Sequence, residues 1–383
     1  ERCGGIAMTK HAILSASGAH RWMNCTPSAR LELEFDDSSG EAAKEGTAAH
    51  ELGEHKLREA LKIPTKKPTS IYDSEEMERY TDEYVQFILE ELAVAKQSTK
   101  DPLLLIEQRL DFSNYVPEGF GTGDCVIVAD DVVHVIDFKY GQGVLVEAEN
   151  NPQMMLYALG ALNLFDAIYD INVVKMTIYQ PRRENISTFE IPKTNLIDWA
   201  ENTLKPKAEL AFKGDGEYKP GDWCRFCRAS VECRARAEEN LKVAKFEFKK
   251  PPLLTDVEIA EILLHVNDLT KWANEIFAYA TNAAVQQGKQ WKGFKVVEGR
   301  SNRKYTDEEA VAEAAKKAGY EDIYKQSLLT ITNMEKLMGK KKFNELLGDF
   351  ITKPRGKPTL VPVTDKRPEI NISTAKNEFM EEK

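Results

Sequence analysis

Residues 132–141, VVHVIDFKYG, begin as an apolar, β-branched run and end in charge. A short run of this kind bounded by turn residues reads as a buried strand. Side chains two apart on a strand share a face, so Asp137 and Lys139 project to the same side. Two readings stand at this point: a plain ion pair on a strand end, or half of a reaction centre. Upstream, LLLIEQRLDF (103–112) and GDCVIVADD (123–131) have the same strand character, and adjacent Asp130 and Asp131 suit a tight hairpin turn. Downstream, NNPQMMLYALGALNLF (150–165) is a helix with Pro152 in its first turn, where proline is tolerated. VVKMTIYQP (173–181) and NISTFEIP (185–192) are strands that pair across RREN.

Residues 41–62 and 74–97 have helix-forming composition, and a further helix covers about 194–213. Helices, three strands, a helix and two more strands predict an α/β fold, a mixed sheet flanked by helices. From about residue 250 the chain reads as mainly helical, ending in a Lys/Pro-rich tail. The expected division is a core domain over 8–245 and a helical C-terminal domain with a basic tail over 246–383. The opening ERCGGIA, before Met8, reads as a cloning or upstream remnant and is set aside together with Cys3.

With 383 residues, 42% of them hydrophobic and 30% charged, the composition is that of a soluble globular protein of two or three domains. No run of about 18 apolar residues is present, so no membrane span or membrane partner is expected, and the expected compartment is the cytoplasm. The net charge of −10 argues against a protein that coats nucleic acid non-specifically, because such binding rests on phosphate neutralisation. A local basic strip on an enzyme remains compatible with it.

Asp137 has company. GFGTGDCVIV (119–128) places Asp124 on the preceding strand behind glycines that let the backbone bend and a ligand approach. Six to seven residues either side of the turn, Asp124 and Asp137 fall roughly opposite each other. Paired carboxylates repel unless a cation sits between them, and hard oxygen ligands suit Mg²⁺ or Mn²⁺. Lys139 beside a metal-bound water can orient the nucleophile or stabilise the developing charge. His50, in EGTAAHELGE, is on a helix that can pack beside the sheet, although neighbouring His55 shows that a helical histidine is often structural. Gln153 and Tyr157, four apart, share a helical face. Glu107 either helps to hold metal or is a solvated carboxylate.

WCRFCRASVEC supplies Cys224, Cys227 and Cys233 as C-x2-C-x5-C. Three clustered thiols can hold zinc or an iron–sulfur cluster, and both usually take a fourth ligand. Cys25 and Cys125 are the choices. Cys125, next to Asp124 on a strand, points to the opposite face and reads as a small core residue.

His50, Gly121-x-x-Asp124, Asp137-x-Lys139 and Gln153-x-x-x-Tyr157, in that order, resemble the RecB-type branch of the PD-(D/E)XK nucleases, which includes the RecB and AddB recombination nucleases and the CRISPR adaptation nucleases. The resemblance covers about residues 10–240. It implies a restriction-endonuclease-like core in which His50, Asp124 and Asp137 hold Mg²⁺ or Mn²⁺, Lys139 assists the attacking water, and Gln153 and Tyr157 support the site. The branch also places one cysteine before the core and three after it around a [4Fe–4S] cluster. The resemblance therefore implies Cys25, Cys224, Cys227 and Cys233 as cluster ligands in a structural staple, with zinc as the less favoured occupant. The implied activity is a metal-dependent deoxyribonuclease, an exonuclease on single-stranded DNA or DNA ends, in phage or bacterial replication, recombination or repair. Phage proteins of those processes would be its partners, and a phage-encoded chain would work in the bacterial host cytoplasm. The alternative is a non-catalytic iron–sulfur scaffold that binds DNA ends; an RNA-directed nuclease is a third possibility.

Arg225, Arg228, Arg234 and Arg236 around the cysteines, with Lys175, Arg182 and Arg183, suggest a basic rim for phosphate contacts. Trp22, Trp223 and Phe226 either stack on unpaired bases or pack around the cysteine centre. WKGFKVVEGRSNRKY (291–305) reads as a short hairpin, and 338–362 as a helix leading into the tail.

Overall fold

The computed structural model describes residues 12–35, 40–244, 255–296, 331–347 and 350–351, with isolated residues between 310 and 317. The chain divides into two compact units, Glu1–Tyr279 and Ala280–Lys383. The first contains a five-stranded mixed sheet whose spatial order follows the sequence: β1 (Leu103–Asp111), β2 (Phe120–Ala129), β3 (Val132–Phe138), β4 (Val173–Gln180) and β5 (Asn185–Pro192). β1 to β3 form an antiparallel meander, β3 and β4 run parallel, and β5 returns antiparallel.

The β2–β3 hairpin turns on Asp130 and Asp131, with Asp131 in the left-handed region at φ +72°. Parallel strands need a crossover; here it contains α5 (Pro152–Tyr169). Asn151 caps that helix, its Oδ1 accepting from the Gln153 and Met154 amides, and Pro152 follows where its missing N–H costs nothing.

Strand periodicity sorts the side chains into two layers. Val126, Val128, Val133 and Val135 join the core that contains α5, together with Leu156, Leu159 and Met176. Cys125, Ile127, Ile136 and Phe138 face the other way, towards α3 (Glu41–Ala60) and α4 (Glu75–Ser98). Ser74 caps α4, accepting from the Met77 amide at 3.2 Å, and Glu75, Glu76 and Glu78 lie in the first turn, where the helix dipole favours negative charge. The expected helix over 194–213 forms as Lys193–Trp199 and Lys205–Lys213 joined by a π-turn.

Two short helices near the N-terminus, α1 (Ala19–Asn24) and α2 (Ser28–Leu31), lie against residues 212–228. A short 3-10 turn (Asp222–Phe226), the helix Arg234–Ala244 and the long helix Asp256–Gln287 follow. In the second unit, Trp291 donates its indole N–H to the Ala280 carbonyl at 2.9 Å, and Lys289 lies over the Trp291 ring. Residues 291–296 form a turn and no strand; the remainder of the expected hairpin lies outside the described residues, as does the tail beyond 351. The helix expected from 338 onward is present as Lys340–Leu347. Among the described residues no helix is long and apolar enough to cross a membrane.

Candidate active site

The site forms where β2 and β3 part. Their ladder pairs Cys125 with Ile136 and ends there, and one further step of the same register sets Asp124 opposite Asp137. Asp124 Oδ2 instead accepts from the Phe138 amide at 2.7 Å. β3 stays tied to β4 beyond that point, because the Lys139 amide donates to the Tyr179 carbonyl at 2.8 Å. Asp137 has the strand parity of Val133 and Val135, which puts it on the α5 side of the sheet.

There Gln153 meets it. Gln153 Nε2 donates to Asp137 Oδ1 at 3.1 Å and to the Tyr157 hydroxyl at 3.3 Å, while Gln153 Oε1 accepts from Lys139 Nζ at 3.2 Å. Lys139 Nζ also lies 3.0 Å from Asp137 Oδ2, yet that oxygen is buried without an aligned hydrogen bond. A buried carboxylate oxygen left in this state is costly unless a further partner arrives. On the other side, His50 of α3 places Nδ1 3.2 Å from Asp124 Oδ1, its ring leaning on Phe138. Burial opposes charge on His50, but Asp124 outweighs it and raises the imidazole to about 9.

Glu107 completes the cluster. Ligand atoms of His50, Glu107 and Asp124 lie within 4.8 Å of one another. In the β1–β2 register Glu107 falls opposite Asp124, between the Ile106–Cys125 and Gln108–Gly123 pairs, but the ladder skips it and its φ is +51°. A left-handed non-glycine residue inside a strand is strained. Burial first, then Asp124 and Glu54, push the Glu107 carboxyl up to about 7. Burial likewise raises Asp137, with Lys139 opposing and Asp124 adding; Asp124 itself is lowered, His50 outweighing its burial. Burial works against the Lys139 charge, but Asp137 and Asp124 hold its ammonium above the usual lysine range.

Three buried or half-buried carboxylates and an imidazole, with one oxygen orphaned, are a donor set that fits a hard divalent cation. The residues expected from sequence thus come together, with two differences in detail. Asp137 is bound to Lys139 and Gln153 and is not part of the tight His50–Glu107–Asp124 group. Glu107, open from sequence, is in that group; its only sequence signal is a carboxylate inside an apolar strand, and its backbone strain has none.

The cysteines form a second centre. Cys25, Cys224, Cys227 and Cys233 line one small cavity, which Arg21, Tyr218 and Trp223 also border. Burial pushes the Cys227 thiol up to about 12, with nearby Glu32 adding, and burial also raises Cys224. Thiols so disfavoured as thiolates ionise when a cation shares their cavity, so the set fits a thiolate-bound metal or cluster. Around it, Glu32 pairs with Arg21 and accepts from the Arg228 amide at 2.7 Å, and Thr26 donates to the Asp215 carbonyl at 2.6 Å. Cys125 is fully buried among Ile127, Ile136 and Tyr84, as its strand parity requires.

The basic rim is smaller than the sequence suggests. Arg182 is engaged by Glu45 and Glu76, Lys175 by Glu91, and Arg236 by Glu275. Of the three aromatics, Trp22 is fully buried and Trp223 is held edge-on to His20, whereas Phe226 is exposed.

Among solved structures, one described as "Crystal structure of SSO0001" aligns at 15% identity over 48% of this chain and 95% of its own, with a TM-score of 0.22. Residues 11–368 match the model of the family described as "Protein of unknown function (DUF2800)", and the chain belongs to that family.

Proposed function

We propose that this chain is a metal-dependent deoxyribonuclease that hydrolyses phosphodiesters at DNA ends. The observation that carries the reading is the contact chain from Tyr157 through Gln153 to Asp137 and Lys139, beside Asp124 at the parting of two strands. The order and spacing of these residues, similar to the RecB-type nucleases, support DNA as the substrate and phage or bacterial recombination as the setting.

A Mg²⁺ or Mn²⁺ ion held by His50, Asp124 and Asp137, with Glu107 beside them, would polarise the scissile phosphate and lower the pKa of a bound water. The chain's own groups do the positioning. Lys139 stays protonated and presents an N–H to the incoming water or to the charge that develops on phosphate. Gln153, bonded to both Asp137 and Lys139, fixes their separation. The Tyr157 hydroxyl takes the other Gln153 contact and holds the amide in that orientation. His50 keeps Asp124 turned into the site. For the cysteine centre we propose a [4Fe–4S] cluster with a structural role, tying α1–α2 to the Asp222–Phe226 turn.

The test is digestion of end-labelled single- and double-stranded DNA by anaerobically purified protein with Mg²⁺ or Mn²⁺, with Asp137→Ala and Lys139→Ala alongside. Cleavage by wild type, reduced at least about a hundredfold in both folded variants, is expected. Binding without cleavage under every metal overturns the nuclease reading. Iron and zinc analysis of the same preparation identifies the occupant of the cysteine centre.

A further inference from the structure

Two buried side-chain atoms that meet no hydrogen-bond partner sit at the two candidate metal centres. At the carboxylate centre the orphan is an acceptor, Asp137 Oδ2. At the cysteine centre it is a donor, Arg21 Nε. A buried donor without an acceptor is costly, more so on a charged group. The polarity of each orphan complements what its centre would hold: an oxygen for a cation, and an N–H for sulfur that carries negative charge.

The fold places Arg21 for that role. It stands one helical turn before Cys25, whose amide donates to the Arg21 carbonyl at 2.8 Å, so the two share a face at the end of α1. The Arg21 side chain borders the cavity lined by Cys25, Cys224, Cys227 and Cys233. The rest of its guanidinium is anchored: Nη1 donates to the Phe226 carbonyl at 3.3 Å, and Nη2 meets Glu32. Those contacts fix the plane of the fork and leave the Nε–H without an acceptor. The other cations nearby are less suited. Lys219 also borders the cavity but is exposed, and Arg236 is bonded to the Ser230 carbonyl and to Glu275. Sulfur already accepts from one N–H here, since the Gly221 amide lies 3.5 Å from Cys224 Sγ.

Resting on the proposal that the cysteine centre binds metal, we infer that Arg21 is a positioning residue of that centre: its Nε–H and its charge hold the metal-bound sulfur and so slow metal loss. Four thiolates outweigh the charge of a zinc ion or of an oxidised [4Fe–4S] core. The loaded centre is therefore anionic, and a buried cation beside it opposes dissociation. Glu32 works in the other direction. Its carboxylate holds Arg21 and accepts from the amide of Arg228, the residue after Cys227, so it brings negative charge to the same sulfurs. The ion pair that joins α1–α2 to the cysteine turn is thus electrically unequal towards the metal, and its two halves have opposite effects on retention.

The experiment follows release of the metal that the anaerobically purified chain carries, iron to ferrozine or zinc to pyridylazoresorcinol, each in excess. Wild type is compared with Arg21→Met, Arg21→Lys, Glu32→Gln and the double variant Arg21→Met/Glu32→Gln. Methionine keeps apolar bulk, and glutamine keeps an acceptor for the Arg228 amide; far-UV circular dichroism checks the fold of each. Arg21→Met is expected to release metal at least about tenfold faster, the ordinary worth of an outer partner of a metal ligand, with Arg21→Lys between it and wild type. Glu32→Gln is expected to hold metal at least as long as wild type. A pair that only joined helices would give the same sign at both of its ends. If Arg21→Met does not fold, the double variant, which leaves no unpaired Glu32 charge, is read against Glu32→Gln with the same loss of about tenfold expected. Release from Arg21→Met at the wild-type rate, or equal acceleration by Glu32→Gln, overturns the inference. A wild type that carries neither iron nor zinc defeats the cysteine-centre proposal and this inference together, whereas release indifferent to Arg21 from a metal-loaded chain defeats this inference alone. DNA cleavage enters neither outcome, so the nuclease reading stands or falls separately.

Discussion

Gly121→Ala tests whether the glycine of Gly121-x-x-Asp124 is there to seat Tyr157. A Cβ added at Gly121 lies 2.7 Å from Tyr157 Cε1, where ordinary contact begins at 3.4 Å, so the ring must retreat by about 0.7 Å. Tyr157 is buried, and its hydroxyl meets Gln153 Nε2 at 3.3 Å, already at the long end of a hydrogen bond. Overpacking costs about 1–3 kcal/mol, and the lost bond costs about 0.5–1.5 kcal/mol. Against these, alanine stiffens the unfolded chain and returns about 0.4–1 kcal/mol. Strain wins, leaving a net loss of about 1–3 kcal/mol, or roughly 3–10 °C in the melting of a domain of about 200 residues. Scanning calorimetry reads the shift, and Gly121→Ala combined with Tyr157→Ala should recover about 1 kcal/mol or more relative to the sum of the single changes. A single variant that melts within about 1 °C of wild type, or strict additivity in the pair, refutes the argument.

Two further outcomes follow from buried charges. Glu91 meets Lys175 Nζ at 2.9 Å and His134 Nδ1 at 3.4 Å, and the His134 contact foremost lowers its carboxyl from 4.5 to about 2, Lys175 adding and burial opposing. A depressed carboxyl contributes stability that is present above 4.5 and lost as pH falls towards 2. Burial also holds His134 below its usual value, so acid acts in the same direction there. Urea unfolding of wild type against Glu91→Gln should show a gap of about 1–2 kcal/mol at neutral pH that closes on acidification; a gap that widens in acid contradicts the assignment. Glu32→Ala leaves the half-buried Arg21 with only the Phe226 carbonyl as partner, a loss of about 1.5–3 kcal/mol, and should expose α1–α2 to proteolysis before the sheet. Unchanged urea midpoint and cleavage pattern together would sink that view.

How far the fold was legible depended on periodicity. The apolar runs at β2, β3 and β4 and the Asp130–Asp131 turn mark the sheet because side chains alternate with a period of two, and that same period put Cys125 in the core and Asp137 on the opposite face. Pro152 did the same for α5, whose first turn it marks, while the Asn151 cap emerged only with the structure. The basic rim was misjudged, since counting Arg182, Lys175 and Arg236 cannot reveal that Glu45, Glu76, Glu91 and Glu275 fold against them.

The sequence by itself determined the elements, their order and the chemical types within reach of one another: His50, Asp124, Asp137, Lys139, Gln153 and Tyr157 stand on segments whose local pattern is self-sufficient. Tertiary structure alone decided the rest. It drew Glu107 into the site through a left-handed residue that no local propensity favours, brought distant Cys25 into one cavity with Cys224, Cys227 and Cys233, buried Trp22 and left Phe226 open. Those outcomes depend on which surfaces meet, and contacts between segments far apart in the chain are set by packing the whole core, not by any window of neighbouring residues.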